Sequence, residues 1–136
     1  MIKKTKSKAK KIPKGIGGWL ILPTIGLFIG GLIWSICALL YGFLLCVGMF
    51  DVVSVIIFLV SVAMSVLIIY CIVLEFKKKK KFPSWAIFAL WMGVLATLIF
   101  GLTDGDFSDL ITTTLGAILW TWYFRVSVRV KNTFVK

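Results

Sequence analysis

The chain of 136 residues contains no histidine and a single glutamate, Glu75. Its other acidic residues are four aspartates, Asp51, Asp104, Asp106 and Asp109. Imidazoles and carboxylates carry most general acid–base catalysis. Within a membrane they also mark proton relays and ion-coupled transport. Their scarcity argues against both, and no nucleophile lies beside a base. The chain is therefore not expected to be an enzyme, and no catalytic, cofactor-binding or metal-ligating residue is assigned. Cys37, Cys46 and Cys71 are odd in number and far apart, without the spacing of a metal site. They read as small apolar helix residues.

Charge of any kind is scarce. Only 15% of residues are charged and 60% are hydrophobic, against about 25% charged in an ordinary soluble chain. Residues 15–50, 52–74, 82–103 and 110–124 contain no charged side chain at all. A bilayer core of about 30 Å is crossed by roughly 20 helical residues. The first three runs satisfy that length, and the fourth does so with its flanks. The reading is all-α: a polytopic membrane protein with four transmembrane helices in a bundle, near residues 19–42, 52–74, 84–102 and 108–127. Residues 1–14 form a basic tail, and residues 15–136 form the membrane domain with a short amphipathic extension at its C-terminus.

The charges that are present sort by sign. Seven lysines precede the first run, five occupy Lys77 to Lys81, and Arg125, Arg129, Lys131 and Lys136 follow the last. The first and third connections hold only aspartates. Basic loops stay on the cytoplasmic side, so four spans put both termini and the middle loop inside. Topology alone then accounts for the net charge of +11. The tail reads as an anchor on anionic headgroups. It lacks interleaved aromatic residues, so no nucleic-acid partner is expected. Glu75 falls beside lysines that would neutralise it.

Local motifs refine this plan. In Gly15-Ile16-Gly17-Gly18-Trp19-Leu20-Ile21-Leu22-Pro23 the glycines make a joint, Trp19 suits headgroup depth, and Pro23 falls where a first turn needs no N–H. A similar arrangement at Pro83-Ser84-Trp85 is either a trace of duplication or what any such junction requires. Small residues at four-residue spacing, Gly26 and Gly30, then Ala89, Gly93, Thr97 and Gly101, with Gly116 after Thr112, are candidate helix-packing positions. They serve either one bundle or a homo-oligomer. Asp104, Asp106 and Asp109 lack EF-hand spacing and read as a polar turn, with Ser108 or Asp109 capping the fourth helix; cation binding is the sharper alternative. Trp120, Trp122, Tyr123 and Phe124 form an aromatic collar. Beyond it, Arg125 with Arg129, and Val126, Val130 and Phe134, recur every four residues. That spacing predicts an amphipathic continuation of the fourth helix along the inner surface. Trp19, Trp120, Trp122, Arg125, Arg129 and Lys131 are the candidate lipid or partner contacts, since guanidinium groups hold phosphate through a fork.

The stretch Gly17-Gly18-Trp19-Leu20-Ile21-Leu22-Pro23, together with Tyr123-Phe124, Ser127 and Arg129-Val130-Lys131-Asn132-Thr133-Phe134-Val135, resembles the YdgK-like family. These are small bacterial membrane proteins with four predicted spans, classed as a domain of unknown function. Trp122 stands where the family commonly has proline. The resemblance implies a bacterial cytoplasmic membrane. It supplies no catalytic residue, and it draws attention to the inner face. The expected role is non-enzymatic: an accessory or scaffold protein engaging anionic lipid or a membrane partner there. The alternative is a small oligomeric transporter, flippase-like protein or channel, using Ser54, Ser61, Ser65, Thr97 and Thr112 to Thr114 as a path between helices.

Overall fold

The computed structural model describes residues 18–48 and 51–134. The basic tail expected over residues 1–14 lies outside the described residues, as do Val135 and Lys136. A short 3-10 turn, Gly18–Leu20, leads into α1 (Ile21–Cys46). It is followed by α2 (Val52–Phe76), α3 (Phe82–Asp104), α4 (Ser108–Val126) and α5 (Val128–Thr133). Runs this apolar must pair their backbone groups within the segment when no water is present, and helix does that without a partner strand.

Punctuation comes from a few residues. Gly18 takes φ 58°, the left-handed region open to glycine, as the first residue of the 3-10 turn. Pro23 is the third residue of α1, within the turn whose N–H groups have no helical acceptor. Asp51 caps α2 by accepting from the Ser54 backbone N–H at 3.4 Å. Pro83 sits at the start of α3, and Gly105 ends it at φ 75°, donating its N–H to the Gly101 carbonyl. The helices extend past the expected limits at residues 42, 74 and 102 because the flanking residues continue the backbone ladder.

Among the described residues, three segments are long and apolar enough to cross a membrane: Gly18–Cys46, Val52–Phe76 and Phe82–Asp104. The fourth helix, α4, is more polar, with Thr112 to Thr114 and Thr121 along it. Large apolar side chains such as Leu39, Phe43, Leu59 and Leu102 point outward. An exposed apolar surface of this extent is what lipid covers.

Successive helices pack as antiparallel neighbours. α1 lies closely on α2, where a Cβ at Gly31 would meet Ile68 Cγ2 at 3.2 Å and one at Gly42 would meet Phe58 Cε2 at 3.1 Å. α2 meets α3 through Tyr70 and Trp85, ring centroids 5.0 Å apart. Trp91 of α3 donates its indole N–H to the Thr121 hydroxyl of α4 at 3.2 Å. α1 makes at most marginal contact with α4. It reaches α3 near the aspartate end, where Trp34 stacks on Phe100 at 5.7 Å. Among the residues α2 buries, Ile57, Ser61, Met64, Ile68, Cys71 and Glu75 recur at alternating spacings of four and three, a stripe kept against its neighbours and flanked by buried Ser65 and Leu74.

The small residues are used differently from one another. A Cβ added at Gly30 would lie 3.9 Å from Ile68 Cδ1, and one added at Gly93 would lie 3.9 Å from Met64 Cε. Ala89 is buried, and Thr97 donates to the carbonyl of Gly93 in its own helix. A Cβ added at Gly26 or Gly116 would meet nothing within 4 Å beyond its own helix backbone. At Gly101 an added Cβ would lie 2.8 Å from the Phe107 ring and 3.1 Å from the Asp106 carbonyl oxygen, so its smallness serves the turn after α3. Alanine at Gly101 is therefore expected to destabilise by about 1–3 kcal/mol through overpacking. Alanine at Gly26 or Gly116 should be neutral or slightly stabilising, since alanine favours helix. Detergent-solubilised unfolding of the three variants checks this ordering.

Candidate functional site

The two end stretches of the sequence converge on one cluster. Leu20 from the turn before α1, Cys71 and Leu74 of α2, Phe82, Ala86 and Ala89 of α3, Phe124 of α4, and Val130 and Phe134 form a single buried group. Phe82 is its centre, with its ring 4.5 Å from Phe134 and 5.9 Å from Phe124. Trp120 and Tyr123 pack on its margin.

A break in the helix makes this convergence possible. The fourth helix does not continue as one amphipathic rod. Ser127 adopts ψ 117°, which ends α4, and its N–H closes on the Tyr123 carbonyl. Its hydroxyl then accepts from the Val130 backbone N–H at 3.4 Å and caps α5. Serine suits this role because it competes with the helical backbone and caps well. The chain turns back, so Val130 and Phe134 are buried while Val126, expected on the same stripe, is exposed. The break also removes the helical register that would have placed Arg125 and Arg129 together. The side chain of Arg129 lies outside the described residues.

Beside the cluster lies a groove of about 560 Å³. Its walls are Pro83, Ser84 and Ile87 of α3 on one side and Phe124, Val130 and Phe134 on the other, with Lys80, Arg125 and Lys131 around them. All three basic side chains are exposed. The groove thus has an apolar floor and a cationic rim, next to the positive end of the α3 dipole. Such a volume is within the range that holds a small ligand. Of the candidate contacts, Arg125 and Lys131 line this groove. Trp19 and Trp122 are 73% and 66% exposed and face outward, and Trp120 is half-buried in the cluster margin. From sequence, Pro83 and Ser84 read only as a helix entry and Lys80 only as one of five topological lysines. The fold shows that these three line one groove with Arg125.

A second cleft, of about 260 Å³, separates α1 from α4. Gly26, Ala89 and Gly93 line it, with Trp34 toward one end and Trp120 and Phe124 toward the other. Several hydroxyls proposed as a path between helices are occupied locally. Ser65, Thr97 and Thr114 each donate to the carbonyl four residues back, at 2.8, 2.9 and 2.6 Å.

Glu75 departs from expectation. It is 1% exposed, and its Oε1 is paired with the Thr24 hydroxyl of α1. Its Oε2 has no partner among the described residues. Lys77 to Lys81 all point to solvent. Sequence order places lysines next to Glu75, whereas its position on the buried stripe of α2 turns it toward α1. At the opposite end, Asp106 Oδ1 accepts from the Ser108 backbone N–H at 2.9 Å. That bond, with the Ser108 side chain, holds the Asp106 carboxyl below the usual carboxylate range. Among the described residues, Asp104, Asp106 and Asp109 are not gathered into a metal-holding group.

No curated protein and no solved structure matches the chain. A family model does: described as "Protein of unknown function (DUF2569)", it spans residues 13–135. With its helices, its buried end cluster and this match along nearly its whole length, the chain belongs to that family.

Proposed function

We propose that this is a YdgK-like four-span protein of a bacterial cytoplasmic membrane, and that it holds an anionic phospholipid headgroup in the groove between α3 and α5. It is a non-enzymatic accessory or scaffold protein, and the lipid-loaded inner face is the surface it offers to a membrane partner. In this reading α4 is the fourth span, laid against α3, and both termini lie inside. The carrying observation is the groove itself, with Lys80, Arg125 and Lys131 around an apolar floor of Ile87, Phe124 and Val130. A phosphate ester attached to a lipid body matches both parts. Support also comes from the internal pairing of Ser65, Thr97 and Thr114, which leaves those hydroxyls already used within their own helices.

The test is capture of fluorescent phosphatidylglycerol in nanodiscs by the wild type and by the combined Lys80→Gln, Arg125→Gln and Lys131→Gln variant. Each basic residue near an anionic surface is worth about 1 kcal/mol, so the triple variant should bind on the order of a hundredfold more weakly. Phosphatidylcholine capture should be equal in both. Equal phosphatidylglycerol capture would reject the groove.

A further inference from the structure

Thr24 is placed between two acceptors. Its Oγ1 lies 2.8 Å from the Leu20 carbonyl oxygen, one turn back in the chain, and is also in hydrogen-bond contact with Glu75 Oε1 across the α1–α2 interface. A threonine hydroxyl has one proton to give. It cannot serve a backbone carbonyl and a carboxylate at once. A second proton resolves the geometry: the carboxyl O–H donates to Thr24 Oγ1, and the Thr24 O–H donates to the Leu20 carbonyl.

The surroundings agree. Glu75 is 1% exposed, and Oε2 has no donor among the described residues. A carboxylate so placed would hold a buried charge with a single donor, an arrangement a buried group escapes by neutralising. A neutral acid leaves only an unpaired carbonyl oxygen. No described cation faces it. On its own helix the titratable neighbour is the Cys71 thiol. α1 carries no titratable side chain before Cys37, and α3 carries none before Asp104 at its far end. Lys77 to Lys81, Arg125 and Lys131, which populate this end of the molecule, are exposed.

We infer that Glu75 is a proton-binding site, a neutral carboxylic acid that latches the start of α1 to the end of α2 through Thr24. Loss of the proton to water leaves a carboxylate that competes with Leu20 for the one Thr24 proton and draws water to Oε2. The latch then opens, and it opens next to Pro23 and the 3-10 turn, where the chain enters its first long helix. The site is independent of the groove and stands whether or not the groove binds lipid.

Glu75 is the only glutamate, and the chain has no glutamine, so carboxyl-labelled ¹³C-glutamate reports on this one group. The experiment is a pH titration of that signal in the full-length wild type in phosphatidylcholine nanodiscs, alongside amide-exchange protection of Ile21 to Thr24 corrected for intrinsic exchange rates. The expected result is a protonated-acid signal at neutral pH. Protection should fall about tenfold, as for the loss of one hydrogen bond, over the same pH range in which the signal converts to carboxylate. Glu75→Gln should show no such step. A carboxylate signal at neutral pH overturns the inference. So does a signal that follows sodium rather than pH, or protection that stays level while the signal converts.

Discussion

Phe82→Ala is expected to lower the stability of the detergent-solubilised protein by about 3–5 kcal/mol, as for other fully buried aromatics. The ring is 0% exposed and joins three separate parts of the chain: α3, on which it lies, Phe124 of α4, and Phe134 beyond α5. Its position explains why the figure for soluble proteins applies. In the middle of a bilayer, lipid would offer a substitute for the lost contacts, because no hydrophobic drive brings apolar helices together there. Phe82 instead opens α3 directly after five lysines, at the level where the alternative to burial is water. Trp122→Ala is the matched control. Trp122 faces outward, and its loss should cost no more than about 0.5 kcal/mol. Equal effects of the two substitutions would show that the cluster does not hold this end together.

The second large effect is expected from ending the chain after Ser127. This removes Val130 and Phe134, which are 1% and 3% exposed, and uncovers one side of Phe82. Burial of a valine or phenylalanine side chain contributes about 1.5–3 kcal/mol, so the loss should total about 3–6 kcal/mol at most. The same truncation deletes Lys131 and one wall of the groove, so lipid capture should fall with it. Because Phe82 and Phe134 are in contact, the truncation combined with Phe82→Ala should cost less than the sum of the two. Chemical unfolding of the four species measures that coupling. Strict additivity would mean that α5 is held by something other than the Phe82 cluster.

The sequence shows the membrane helices plainly because lipid imposes a simple rule. Long charge-free runs must be helical, and residues 52–74 could hardly be anything else. Ends are harder. Nothing in Arg125-Val126-Ser127-Val128-Arg129 announces a break, since valine and arginine carry on a helix adequately and one serine does not stop it. The turn occurs because Phe82 and Phe124 leave an apolar face that Val130 and Phe134 cover only if the chain reverses. That information lies in α3, more than forty residues earlier. The groove was hidden for the same reason: Arg125 and Lys131 are noticeable in the sequence, but Lys80 is one of five adjacent lysines until the fold selects it. Glu75 shows the converse error. Its neighbours in sequence suggest neutralisation by the adjacent lysines, while the fold puts it on the buried stripe of α2 with Ile57, Ser61, Met64, Ile68 and Cys71. Adjacency in sequence is a poor guide to a helical residue's partners. Small residues carried least. A glycine in an apolar helix looks alike whether it receives Ile68, as Gly31 does, accommodates Phe107, as Gly101 does, or meets nothing, as Gly26 does.

An anionic phospholipid held in the groove between α3 and α5 should survive gentle extraction. Native mass spectrometry of the wild type and of the Lys80→Gln, Arg125→Gln, Lys131→Gln variant, each extracted gently from its own membrane, tests it directly. One anionic lipid per chain should be retained in the wild type and lost from the variant, with both proteins otherwise intact. A wild type that carries no anionic lipid, or a variant that retains the same lipid at the same stoichiometry, would contradict it.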